Sequence, residues 1–137
     1  MNIRIALIAA LVATLASGCS TGPSQEVQSP RARNELAEAL AGRTPGPAQR
    51  CIPNYRAGQM QVVDDSTILF RDGRTIYLQK PRGGCIGLAS GRTLVTRKFG
   101  TSDVCDGDIN RVVDLPSGME SGSCVFGPFV PYTKPRS

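Results

Sequence analysis

Four cysteines spread across a β-patterned stretch, at positions 51, 85, 105 and 124, constrain this chain more than any other feature. Their number is even, their spacings are wide and no Cys-x-x-Cys occurs, so zinc-knuckle and redox-motif readings are weak. In an oxidising compartment such a set forms two structural disulfides. Four cysteines admit three pairings, and position along the chain selects one. Cys51 opens the β-region and Cys124 lies in its last strand, so these two are expected to pair. Cys85 and Cys105 flank the 93–99 run in Gly-rich loops and are expected to form the second bridge. A core of about 80 residues benefits from such staples.

The fifth cysteine sits elsewhere. Met1-Asn2-Ile3-Arg4 supplies a short positive start, and residues 5–15 form an apolar run interrupted only by Thr14. That run is too short for a spanning helix, which needs about 20 apolar residues. It reads as the hydrophobic part of a signal peptide over 1–18, closed by the small residues Ala16-Ser17-Gly18. Leu15-Ala16-Ser17-Gly18-Cys19 resembles the bacterial lipobox, which implies lipid attachment at Cys19. Ala16 stands where that pattern usually has Leu, and an ordinary signal peptidase could cut the same bond. Two features favour lipid: residues 20–25 are a polar spacer of the kind that tethers a domain, and Cys19 is the odd cysteine. The expected location is periplasm-facing, as an outer-membrane lipoprotein or otherwise as a soluble periplasmic protein.

Residues 19–50 read as a tether carrying one helix over about 30–41. Ser29 is a good N-cap and Pro30 suits the first helical position. Ala32, Leu36 and Leu40 fall on one stripe, and Gly42 supplies a left-handed stop. Alone in water so short a helix is marginal, so its stripe either docks or half-melts. From 51 to 132 the pattern changes to short β-runs at 59–63, 67–71, 74–79, 93–99, 109–114 and 123–126, each bounded by Gly, Asp, Ser or Pro. Asp72-Gly73 predicts a two-residue hairpin turn. It would place Leu69, Ile76, Thr67 and Leu78 on one face, and Ile68, Phe70, Thr75 and Tyr77 on the other. Both faces are then partly apolar, which predicts a barrel-like domain or a sheet covered by the helix. The fold expected is mainly β, a small antiparallel, disulfide-stapled domain with one N-terminal helix and a flexible tail at 133–137.

The series Cys51-Ile52-Pro53, Val63-Asp64-Asp65-Ser66-Thr67-Ile68-Leu69-Phe70, Tyr77-Leu78 and Gly84-Cys85 continues with Cys105-Asp106-Gly107-Asp108. It closes with Cys124 and Gly127-Pro128-Phe129-Val130-Pro131. In that order these motifs resemble a family of small exported proteobacterial proteins of unknown function, over about residues 42–132. The resemblance implies a signal peptide and a compact β-rich domain, and it implies no activity.

Charge and chemistry narrow the function classes. The formal charge is +5, but 51–132 is nearly neutral and the excess sits at the two ends, which argues against a clustered polyphosphate-binding face. No His is present, which removes the commonest general base and metal ligand. Asp103, Asp106, Asp108 and Asn110 do not follow the calcium-loop order and read as a turn. Asp64-Asp65 are adjacent, point apart along a strand and read as the turn before Thr67. The expectation is a non-enzymatic accessory or binding module for an envelope protein or ligand, with no cofactor, no metal and no catalytic residue. A narrower version is an inhibitor of a cell-wall hydrolase, by analogy of fold alone. The expected contact surface is the apolar run 126–132, unless it closes the sheet as an edge strand. The alternative from another class is a periplasmic hydrolase using paired aspartates.

Overall fold

The structure, a computed structural model, describes residues 27–54, 58–98 and 100–137. The expected signal peptide and Cys19 lie outside the described residues, as does Phe99. Helix α1 spans Pro30–Leu40, and its start is as expected: the Ser29 hydroxyl accepts from the Ala32 N–H and Pro30 opens the first turn. Ala41 caps it and Gly42 follows at φ +67°. The described strands are β1 (Thr44–Pro45), β2 (Cys51–Ile52), β3 (Met60–Asp64), β4 (Thr67–Asp72), β5 (Thr75–Gln79), β6 (Thr93–Thr96), β7 (Val104–Cys105), β8 (Ile109–Val113), β9 (Glu120–Val125) and β10 (Phe129–Thr133). They form three antiparallel sheets, ordered β1-β10-β5-β4-β3, β2-β7 and β6-β8-β9. The fold is mainly β, and among the described residues no closed barrel forms.

The β4–β5 hairpin tests the expected register. Asp72 pairs with Thr75 and Leu69 with Leu78, so the turn is Gly73-Arg74 and not Asp72-Gly73. Gly73 has φ +55° and Arg74 does not have positive φ, the sign pattern of a turn with glycine at its first central position. The shift is by two residues, and side chains alternate with period two, so the assignment of faces survives. Leu69, Ile76 and Leu78 lie on one face, against Leu36, Ala39 and Leu40 of α1. Ile68, Phe70 and Tyr77 lie on the other, in the main core with Ile52, Leu88, Val112, Phe126 and Phe129. The helical stripe therefore docks on the sheet. Gln61 of β3 fastens it, donating to Glu35 (2.7 Å) and accepting from Arg71 (2.6 and 3.0 Å).

Both disulfides form, but the pairing is Cys51–Cys105 and Cys85–Cys124, not the expected Cys51–Cys124 and Cys85–Cys105. The reason is sheet register. β2 and β7 are neighbours with Cys51 directly opposite Cys105. Cys85 instead lies in the loop after β5, which runs beside β9: Arg82 bridges to Val125, one residue from Cys124. Neither neighbourhood is visible in the order of cysteines along the chain.

The run 126–132 is also placed differently from the expected contact surface. It enters the core and the sheet, with Phe126 and Phe129 buried. Their rings meet Phe70 at 6.0 and 5.8 Å and each other at 5.9 Å. Pro131 is tolerated inside β10 because N–H and C=O of one residue point to the same strand edge. Its carbonyl accepts from the Gly46 N–H at 2.7 Å, so its missing donor faces residue 46 and costs the β5 ladder nothing. Before the strand, the buried Gln79 amide donates to the Gly127 carbonyl (2.9 Å) and accepts its N–H (2.8 Å). A Cβ at Gly127 would sit 2.8 Å from the Lys80 carbonyl, so this close approach admits only glycine.

Candidate functional site

In the sheet order β3 ends the five-stranded sheet and β6 ends the three-stranded one. Between them opens a cleft of about 650 Å³ lined by Met60, Phe70, Leu94, Val104 and Phe126 together with the polar Asn54, Thr93, Thr96 and Lys98. Alternation builds its walls. In β6, Leu94 and Thr96 pair with Val112 and Asn110 on the inner side, and Val95 turns outward. Val104 is held there by β2–β7, which the Cys51–Cys105 bridge clamps.

Two of the polar side chains around the cleft, Lys98 and Thr96, are engaged within the fold. Lys98 donates to the Asp108 carboxylate, which also accepts the Cys105 N–H at 2.7 Å. The Thr96 hydroxyl donates to buried Asn110, whose amide donates to the Asp108 carbonyl at 3.1 Å. The described lining holds no carboxylate, thiol or imidazole. The described lining can accept an apolar or amphipathic group.

The aspartates weighed from the sequence are dispersed among loops. Asp64 ends β3, and its carboxylate accepts the Ser66 N–H (2.8 Å), the Ser66 hydroxyl (2.9 Å) and the Gln28 amide (2.8 Å). Burial pushes its acidity toward the neutral form, but the hydrogen bonds from Ser66, Gln28 and Thr67 outweigh that and hold it below the ordinary carboxylate value. Asp65 points elsewhere and accepts the N–H groups of Gly87 and Ala89, both at 2.8 Å. It thereby fixes the start of the 3-10 turn Leu88–Ser90 beside Cys85. Asp106 pairs with Arg82 at 2.6 Å, and Asp103 is exposed. The Ser117 hydroxyl and N–H hold Asp114 below its ordinary value. Among the described residues no three His, Cys, Asp or Glu side chains converge to hold a metal.

Sequence reasoning missed the cleft because its walls come from β3, β6 and β7, which are far apart in the chain. The only local signal was Thr93-Leu94-Val95-Thr96, an alternating run with no hairpin partner next to it. Among the described residues no helix is long and apolar enough to cross a membrane. No family model matches this chain, and no curated protein or solved structure is significantly similar to it.

Proposed function

We propose that the protein is an exported, non-enzymatic envelope component, a binding or accessory module anchored through lipid on Cys19 and facing the periplasm. Two disulfides within one small domain support an oxidising compartment. The observation that carries the binding role is the cleft between β3 and β6, where Met60, Phe70, Leu94, Val104 and Phe126 meet a few polar side chains, a mixture from which ligand sites are built. It replaces the 126–132 run as the contact surface. The aspartates that a hydrolase would need are spent on anchoring loops: Asp64 and Asp65 turn to different partners, where a glycosidase holds two carboxyls about 5–10 Å apart across one cleft.

Site-specific photo-crosslinking in intact cells tests this reading. A crosslinker at position 94, inside the cleft, should yield a defined adduct that one at position 109, on the outer face of β8, does not. Identical adduct patterns from the two positions would overturn the assignment of the cleft.

A further inference from the structure

Six large apolar side chains are exposed among the described residues, and four of them, Val27, Ile86, Leu115 and Met119, sit in segments that contact one another in series. Hydrogen bonds join their loops. Val27 and Ala89 border one hollow with the Asp64–Ser66 turn. Ile86 lies between Cys85 and Gly87, both of which donate to Asp65. Arg92 donates to the Gly87 carbonyl at 3.1 Å and faces Asp114. Asp114 opens the β8–β9 turn that carries Leu115 and Met119, and its N–H donates to the Met119 carbonyl at 2.9 Å. The other two exposed apolar residues, Val95 and Ile109, stand on the outer face of the three-stranded sheet.

The chain enters α1 through Val27, beside the Asp64–Ser66 turn. Cys19 lies eight residues earlier, and eight extended residues reach at most roughly 29 Å. A lipid on Cys19 therefore keeps these apolar segments close to the bilayer at high effective concentration. The polar groups there are engaged: Arg33 donates to the Gln28 carbonyl and Arg92 to that of Gly87, and the Asp64, Asp65 and Asp114 carboxylates are occupied by N–H or hydroxyl donors.

We infer that the end carrying Val27, Ile86, Leu115 and Met119 docks on a lipid bilayer, its apolar side chains entering the headgroup region. The inference rests on the proposed anchoring at Cys19. Docking fixes the orientation of the domain, with the tether end on the membrane and the Ile109 end of β8 directed away from it.

The protein has no Trp, so a single introduced indole reports depth. The full chain, exported and purified with Leu115→Trp, Met119→Trp or Ile109→Trp, is reconstituted in phosphatidylethanolamine–phosphatidylglycerol vesicles with brominated acyl chains. Intact mass reports the lipid on Cys19. The expected result is lipid mass on all three, emission of the 115 and 119 variants shifted to the blue and quenched about twofold, and the 109 variant unquenched. Lipid mass with no quenching at 115 or 119 overturns the docking and leaves the anchor standing. A blue shift without quenching, with chains crosslinking as dimers, overturns it in favour of a second copy of the chain. Absence of lipid mass overturns the anchor, and the docking with it.

Discussion

Strands β4 and β5 of the five-stranded sheet are covered on both faces, whereas β6, β8 and β9 are covered on one. In β4, Thr67, Ile68, Leu69 and Phe70 are all buried in succession. In β8, burial alternates, with Asn110 and Val112 inside and Ile109 61 % exposed. The first pattern follows from α1 lying on one side of the sheet and the second sheet on the other. A strand buried twice needs a continuous apolar run, and a strand buried once needs only every second position. The difference places stability in the five-stranded sheet and leaves the three-stranded sheet free to shape the cleft wall and the apolar tip 114–119.

The largest contrast should come from truncating the aromatic cluster against the outer face. Phe129→Ala is expected to cost about 3–5 kcal/mol, and Ile109→Ala about 0.5 kcal/mol or less, by urea denaturation. Equal losses would mean that the two sheets carry comparable burial. Next come the bridges. They close loops of similar length, with sequence separations of 54 and 39 residues, so chain entropy assigns each about 4 kcal/mol. Burial separates them. Cys85 and Cys124 are in the core and Cys51 and Cys105 half-buried, so replacing Cys85 and Cys124 together by Ser should lower Tm further than replacing Cys51 and Cys105. Non-reducing peptide mapping should show these same pairs, and a Cys51–Cys124 peptide would refute the topology.

A smaller effect tests the helical cover that makes one sheet two-sided. Ser29→Ala removes the N-cap acceptor and should cost about 1 kcal/mol, with helical circular dichroism reduced. The smallest effect is pH-dependent. Asp64 titrates below its ordinary value of 3.8 when folded, so near that pH the unfolded chain binds more protons than the folded one. Its contribution is complete above the ordinary value and is lost as pH falls through the lowered one. Asp64→Asn should therefore flatten this part of the acid limb of the stability profile, leaving stability above pH ~5 lower and nearly unchanged in slope.

Legibility follows the range of the interaction. The faces of the β4–β5 hairpin could be read because period-two alternation survives a two-residue slip, but the slip itself could not. Both Asp72-Gly73 and Gly73-Arg74 offer glycine to a tight turn, and the second is the one that places Asp72 opposite Thr75 and Leu69 opposite Leu78. Hydropathy in β8 would turn Ile109 inward. The structure buries Asn110 instead, because Thr96 and the Asp108 carbonyl satisfy its amide, and a buried polar group with partners carries little penalty.

What the sequence by itself determined was local: a helix started by Ser29 and Pro30 and ended before Gly42, short strands between turn residues, and two apolar faces on one hairpin. Backbone dihedral preferences and hydrogen bonds within a few residues set these. Only the tertiary structure decided that Cys51 meets Cys105 and Cys85 meets Cys124, that 126–132 is core and strand, and that an open cleft separates β3 from β6. Each depends on which distant segments become neighbours, and that is fixed by burying all the apolar faces at once, with every strand competing for the same partners.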